Sequence, residues 1–233
     1  FRIASGAIAE AKWDERQMPI EFFLSTDGFP SSGITNEQLV TEMDAALATF
    51  QDLPASAIHF APVALGAGNS TGGDSAYASG LDGRNIITFT DPTFVFSPSV
   101  LAVCSYVRTQ EPLVITDDNA DIDGDGVRDM PNGTYPPGTL LDADVIFDGA
   151  RPWSLTGGGG TFDIRQVAMH EFGHCIGMSH SSIPGATMWP VYNLDLAAGP
   201  QLKTDDIAIA SRIYPEAPQY AQSYGTIRGR VIS

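Results

Sequence analysis

The sequence predicts a mixed α/β or α+β fold, in which a few helices pack against a sheet. Two observations lead to this prediction. A helical pattern at residues 35–50 stands between short strand-like runs, and further short runs follow it, separated by loops rich in Gly, Ser and Asp. The chain has 233 residues, of which 43% are hydrophobic, enough for one sizeable core.

The first predicted strand covers residues 18–24, which are mostly bulky and end at a turn-forming 25–28 segment. The first helix has Thr35 as its N-cap and Gln38 three residues later, which is the capping-box spacing. Further strands are predicted at 57–63, 85–90, 100–107 and 144–148. We interpret His59, a single histidine in an apolar strand, as a packed core residue. The helix residues predicted to face the core are Leu39, Met43, Ala46, Leu47 and Phe50.

Two more helices are predicted in the second half of the chain. One begins at the N-cap Asp163, with Gln166 three residues later, and should end at Gly177. The other begins at Thr204, has two acidic residues in its positive first turn, and ends before Pro215. Its predicted inward residues are Ile207, Ala210, Ile213 and Tyr214.

The charge of the chain is strongly acidic, because 28 Asp and Glu stand against 12 Lys and Arg, for a net charge of −16. A nucleic-acid partner is therefore not expected, since that function needs clustered cations. No run approaches the roughly 18 apolar residues of a membrane span. We expect a monomer without a membrane span.

Six aspartates lie between residues 117 and 129. Their alternation, followed by Gly126, matches the first nine positions of a calcium-binding loop, although a bidentate Glu is missing at the end. The alternative is a solvated acidic surface loop. The predicted calcium ligands are Asp121, Asp123, Asp125, Asp129 and the carbonyl group of Val127.

Three of the four histidines lie in one short stretch, as His170, His174 and His180. Helical spacing places His170 and His174 one turn apart on the same face. Gly177 can end the helix in a left-handed conformation, so that His180 turns back toward the other two. Three neutral imidazoles with an open fourth position are typical of a catalytic zinc site. The alternative, histidines without a metal, would make this spacing a coincidence.

Glu171 follows the first of these histidines, where its carboxylate can reach a zinc-bound water without ligating the metal. Zinc lowers the pKa of such a water to about 7, Glu171 takes the proton, and the hydroxide attacks a polarised carbonyl. Glu171 can then pass the proton to the leaving amine. The motif predicts peptide-bond hydrolysis. A zinc site that has lost catalysis is the alternative, and the presence of Glu171 counts against it.

These residues resemble the zinc motif of the metzincin metalloproteases, and within them the matrixins, the family of the matrix metalloproteinases and their bacterial relatives. The likeness extends to residues 1–215 and is most specific from residue 144 onward. The resemblance implies a twisted five-stranded mixed sheet with three helices and a small C-terminal subdomain. It also implies a catalytic domain at 1–215, with an upper part at 1–177 and a lower part at 178–215.

The resemblance also implies roles around the zinc. Met188 would lie beneath the metal as a hydrophobic floor. The pocket for the side chain after the scissile bond, called S1′, would be lined by Gln166, Pro190, Val191 and Tyr192. Residues 216–233 read as a linker and then a strand beginning near Gln219, which could start a following module. An added strand on the catalytic domain or a disordered end are the alternatives for that tail.

Two departures from the family pattern stand out. Val103 and Ile146 occupy positions where the family commonly carries histidines for a second zinc, so we predict no structural zinc. Cys104 lies on the family's cleft strand and Cys175 on the active-site helix, so the two could form a disulfide or remain buried thiols.

The resulting prediction is a secreted zinc endopeptidase that acts on protein or peptide substrates. One catalytic zinc and a structural calcium are its expected cofactors. The alternative is a calcium-dependent extracellular adhesion or binding module with a vestigial zinc site.

Overall fold

The computed structural model describes residues 10–26, 33–66, 84–90, 94–116, 130–192 and 200–225. Its strands are β1 (Phe23–Ser25), β2 (Ala64–Gly66), β3 (Ile86–Thr88), β4 (Ala102–Arg108), β5 (Leu113–Ile115), β6 (Gly133–Tyr135), β7 (Leu140–Phe147), β8 (Trp153–Ser154) and β9 (Phe162–Asp163). The central sheet has the order β2-β1-β3-β7-β4. Its first four strands run parallel, and β4 pairs antiparallel with β7 at one edge. This arrangement confirms the predicted five-stranded mixed sheet.

The helices are α1 (Asn36–Gln51), α2 (Ile164–Cys175), α3 (Thr204–Ile213) and the short α4 (Gln219–Ser223). The predicted capping box of α1 is present, because Thr35 accepts a hydrogen bond from the Gln38 backbone and the Gln38 side chain returns one. At α2, the Asp163 side chain accepts from the Gln166 N–H at 2.9 Å. Local capping therefore sets both helix starts where the sequence predicted them.

Alternating residues divide the sheet into two faces. Ile87, Val145 and Phe147 belong to the main core, which also contains the buried face of α1 and that of α2. Ile86 and Ile146 point to the opposite face. Helix α2 contacts β4, β7 and α1, so it lies directly on the sheet. The active-site motif is thus carried by a helix that is packed on both sides.

A smaller apolar cluster covers the outer face of the sheet. The buried side chains of Ile86 and Ile146 pack there against Val103, Phe94 and Phe96. Val103 and Ile146 are direct partners in the antiparallel register of β4 and β7. The two residues that depart from the family pattern are therefore neighbours in an apolar contact.

The segment at Trp13 closes the C-terminal end of α2. The Trp13 indole N–H donates to the Cys175 carbonyl at 2.9 Å, and the Tyr214 hydroxyl donates to the Ile176 carbonyl at 3.0 Å. The Trp13 backbone N–H donates in turn to the Tyr214 hydroxyl at 3.0 Å. Burial raises the pKa of Tyr214 above its usual range, so this hydroxyl remains a donor. Carbonyl groups at the end of α2 thereby find partners from distant parts of the chain.

Several predictions about individual elements were wrong. Residues 57–63 do not form a strand; Phe60 makes an isolated bridge with Ile20, and β2 begins only after Pro62, which cannot donate to a ladder. His59 is exposed and not a core residue, because alternation places its neighbour Ile58 inside.

Other differences concern the second half of the chain. Residues 219–223 form helix α4, and the rest of the predicted strand, 226–233, lies outside the described residues. In α3, Ile209 is buried, whereas Ile207 is only half-buried. The antiparallel β5–β6 pair and the parallel β8–β9 pair were not predicted. Within the described ranges, no helix is both long and apolar enough to cross a bilayer.

Candidate active site

The turn after α2 brings His180 back to the helix. Gly177 has φ +94°, and its N–H donates to the His174 carbonyl at 2.9 Å. The next N–H, of Met178, donates to the Gly173 carbonyl at 2.8 Å. This pair of bonds is a Schellman motif, and it places glycine in the left-handed position. The predicted turn at Gly177 is present.

His170, His174 and His180 form a cluster in which one ligand atom from each lies within 4.8 Å of the others. The Nε2 atoms of His170 and His174 are 3.2 Å apart. The Nδ1 atoms point away from the cluster, His170 to the Thr187 carbonyl at 2.7 Å and His174 to the Met178 carbonyl at 2.9 Å. Two of the three rings are therefore held by the backbone.

These contacts determine the tautomers. A carbonyl oxygen can only accept, so the Nδ1 atoms of His170 and His174 carry the hydrogens and their Nε2 atoms present lone pairs. Burial lowers the pKa of His170 to about 4 and that of His174 to about 3, which keeps both rings neutral. Two lone pairs that face each other at 3.2 Å repel unless a cation lies between them. Neutral imidazoles with anchored Nδ1 groups fit zinc.

Glu171 points from the same helix into the cleft and is 5% exposed. Burial raises the pKa of Glu171 to about 8, while a hydrogen bond from the Cys104 backbone N–H acts in the opposite direction. A cation at the histidines would favour the carboxylate form. The carboxyl group is thus placed to exchange a proton at neutral pH.

A disulfide joins Cys104 on β4 to Cys175 on α2, with the Cα atoms 6.0 Å apart. Of the two alternatives for the cysteines, a disulfide or two buried thiols, the structure has the disulfide. Cys104 also supplies the N–H that meets Glu171, and Cys175 directly follows the ligand candidate His174. The bond therefore couples the cleft strand to the helix that carries the motif.

Met188 lies beneath the motif and is 1% exposed. Its sulfur occupies the space where a Cβ at residue 173 would be, so glycine allows the close approach. The Met188 carbonyl accepts from the Ser181 N–H at 2.8 Å. These contacts place Met188 against the motif helix.

Asp206 holds the segment around Met188, which the sequence did not suggest. Its carboxylate accepts from the N–H groups of Thr187 at 2.7 Å, Met188 at 3.0 Å and Lys203 at 2.9 Å. Since Thr187 also anchors His170, Asp206 supports a histidine through one intervening residue. The sequence presented Asp206 only as an acidic residue in a first helical turn.

A cleft of about 860 Å³ runs past the histidines. All four predicted pocket residues line it: Gln166, Pro190, Val191 and Tyr192. The Tyr192 hydroxyl accepts from the Asp163 N–H at 2.9 Å, and its ring packs on Phe162 with centroids 5.1 Å apart. The cleft is also lined by residues 98–104, which include the cleft strand that the resemblance implied, and by Arg151, which the sequence did not suggest. The predicted calcium ligands at 121–129 lie outside the described residues.

Comparison with known proteins agrees with this geometry. A family model described as matrixin (Peptidase_M10) matches residues 115–215. Human matrix metalloproteinase-20 is 34% identical over 117 residues, which cover 47% of this chain and 24% of that protein. Mouse matrilysin is 37% identical over 90 residues, 39% of this chain and 34% of that protein.

Human neutrophil collagenase is 37% identical over 101 residues, which cover 42% of this chain and 20% of that protein. The matched segments thus span about a third or less of the length of these relatives. The family match includes the three histidines, Glu171 and Met188. Residues 115–215 are therefore similar to the matrixin family, and the mixed sheet and the three-histidine cluster agree with this similarity.

Proposed function

We propose that this chain hydrolyses internal peptide bonds of proteins or peptides, with one zinc held by His170, His174 and His180. The observation that supports this most directly is the pair of Nε2 atoms at 3.2 Å, with both Nδ1 atoms hydrogen-bonded to backbone carbonyls. This arrangement is favourable when a cation takes both lone pairs. His180 would supply the third nitrogen, and it is the most exposed of the three histidines.

When bound, zinc would supply a Lewis acid that acidifies a water molecule and polarises the scissile carbonyl. Glu171 would accept a proton from the attacking water and then donate it to the leaving amine, acting first as a base and then as an acid. The Cys104 N–H orients the Glu171 carboxylate from the strand side. Thr187 and Met178 hold His170 and His174 in the tautomer that leaves Nε2 free for the metal.

The substrate would lie extended along β4. This strand is the edge of the sheet, and residues 102–104 line the cleft, so backbone groups along this edge other than the Cys104 N–H can pair with a peptide. Gln166, Pro190, Val191 and Tyr192 would form the pocket for the side chain after the scissile bond. Met188 would form the floor beneath the metal.

Four further proposals concern the setting of this activity. The catalytic domain would comprise residues 1–215 and divide at Gly177, where the chain leaves α2. The disulfide between Cys104 and Cys175 favours a secreted protein, since such bonds persist in oxidising compartments. The aspartates at 117–129 would bind calcium, and the protein would act as a monomer.

The test is the substitution Glu171→Gln, which keeps shape and removes the base. We expect cleavage of a quenched peptide library to fall by about 10²- to 10⁴-fold, the usual contribution of a general base. Zinc content, measured by atomic absorption, should stay at one per chain. His174→Ala is the matched control and should lose both zinc and cleavage.

Full activity of the Glu171→Gln protein would refute the mechanism. If the wild-type protein bound zinc and calcium but cleaved no peptide, a binding module with a vestigial zinc site would be the better description.

A further inference from the structure

Arg151 makes an unusual set of contacts with the loop that precedes β4. Its Nη2 atom lies 2.8 Å from the Pro98 carbonyl oxygen, 3.2 Å from that of Val100 and 3.4 Å from that of Ser97. Its Nε atom donates to the Asp148 carboxylate at 2.8 Å. The Arg151 guanidinium thus contacts a carboxylate through its Nε atom and three carbonyl groups of a single turn through its Nη2 atom.

The loop depends on these polar contacts for its position. The side chains of Ser97, Pro98 and Ser99 are exposed, so burial contributes little to holding them. The carbonyl oxygens of Ser97, Pro98 and Val100 converge on one point, where their dipoles would repel each other without a positive group. The loop is joined to the 148–151 turn by one more bond, from the Asp148 N–H to the Leu101 carbonyl at 2.9 Å.

The same loop forms a wall of the cleft. Residues 98–101 line it, and Arg151 lines it beside them. Arg151 stands two residues before Trp153, whose ring packs on Phe162 with centroids 5.9 Å apart, and Phe162 packs in turn on Tyr192. This wall therefore lies at the Tyr192 end of the cleft, where the proposed function places the residues after the scissile bond.

We propose that Arg151 is a positioning residue for substrate affinity: it fixes the 97–101 wall and thereby sets how tightly the enzyme holds the carboxyl-terminal side of an extended peptide. The proposal rests on the proposed function for the identity of the ligand. It assigns Arg151 no contact with the reacting atoms, so its effect should appear in binding and not in the chemical step.

The first experiment compares Arg151→Gln with wild type on two quenched peptides that share their sequence before the scissile bond. One peptide extends four residues beyond that bond and the other extends one. For the longer peptide we expect KM to rise about tenfold, the equivalent of one charge-assisted hydrogen bond, with kcat changed by less than about twofold. For the shorter peptide, KM should not change. With the longer peptide, Arg151→Lys should recover part of the affinity that Arg151→Gln loses.

Arg16→Gln is the matched control. Arg16 also binds a carboxylate, that of Asp14 at 2.7 Å, and two carbonyl groups, of Asn132 at 3.2 Å and Thr134 at 3.1 Å, but it does not line the cleft. Its loss should leave both KM values unchanged. Equal KM changes for the long and short peptides, or a fall in kcat alone, would overturn the proposal.

A second measurement does not require cleavage. Amide hydrogen exchange in Arg151→Gln should accelerate at residues 97–101 and stay unchanged in α2, whereas Arg16→Gln should leave 97–101 unchanged. If the wild-type protein cleaved no peptide, the proposed function would fail, and exchange would still decide whether Arg151 holds the wall. Unaltered exchange at 97–101 would refute that role.

Discussion

Gly177 is the residue that lets the third histidine meet the first two. A left-handed conformation ends α2, and the chain reverses within three residues to present His180. The same glycine also lies against the Ala11 backbone, where a Cβ at residue 177 would overlap the carbonyl oxygen. Two separate constraints therefore require glycine here, one in the backbone angle and one in the packing.

The substitution Gly177→Ala should lower the free energy of unfolding by about 3 kcal/mol or more, since it adds backbone strain and a clash with a fixed backbone. Gly185→Ala is the matched control, because Gly185 also has positive φ but open space around it. Gly185→Ala should lower the free energy of unfolding by about 1 kcal/mol, because it adds backbone strain without a clash. Urea unfolding at saturating zinc measures both, and equal costs would show that the Ala11 contact contributes nothing.

Single residues of the site differ in how far the sequence predicted them. The histidines, Glu171 and Gly177 follow from spacing along one helix and its end, so their geometry is local. The supporting role of Asp206 could not be predicted from spacing along the chain. It depends on three N–H groups that only folding brings to one carboxylate.

At the scale of elements, the contact between α2 and β4 organises the site. Helix α2 carries two of the three zinc-binding candidates, His170 and His174, and β4 is the edge along which a peptide would pair. The Cys104–Cys175 bond joins these two elements across 71 residues of sequence. A covalent link at this point constrains the cleft as well as the unfolded chain.

Replacing both cysteines, as in Cys104→Ala with Cys175→Ala, should lower the free energy of unfolding by about 4 kcal/mol, the chain-entropy value for a closed loop of this size. Urea unfolding at fixed zinc measures the loss. Wild-type protein under reductant provides the control and should match the double variant. A loss below about 1 kcal/mol in both would show that the reduced chain is restrained by other contacts.

The residues at which helices begin were predicted more accurately than those at which strands begin. The starts of α1, α2 and α3 depend on a cap or first turn within a few residues, which a sequence displays. Strand β2 begins after the predicted run because strand pairing depends on the register with β1, to which it is parallel. Helix α4 was not predicted, because this short helix has no side-chain cap that the sequence could display.

At the scale of the whole molecule, metal binding should couple to stability. The three histidines lie on α2 and on the segment after its end, so a shared metal holds the two parts of the chain together. Without a cation the facing lone pairs of His170 and His174 disfavour the folded cluster. Anything that binds only the folded state raises its stability by mass action.

Removal of zinc with a chelator should therefore lower Tm, and zinc restored at 100 times its Kd should recover about 2.7 kcal/mol. For a chain of this length that corresponds to a rise of about 5–10 °C in calorimetry. The variant His170→Ala with His174→Ala is the control and should show no zinc-dependent shift. The same shift in that variant would place the stabilising metal elsewhere in the chain.

The sequence by itself determined the class of chemistry. Two histidines and one glutamate on one helix, followed by a glycine and a third histidine, predict a metal site and a base because a regular helix and its glycine end have fixed geometry. Only the tertiary structure decided what surrounds that chemistry: the disulfide from β4, the apolar pair of Val103 and Ile146, and the cleft wall held by Arg151. These contacts join residues far apart in the chain, and their partners are chosen by packing and backbone hydrogen bonds, which spacing along a single sequence does not encode.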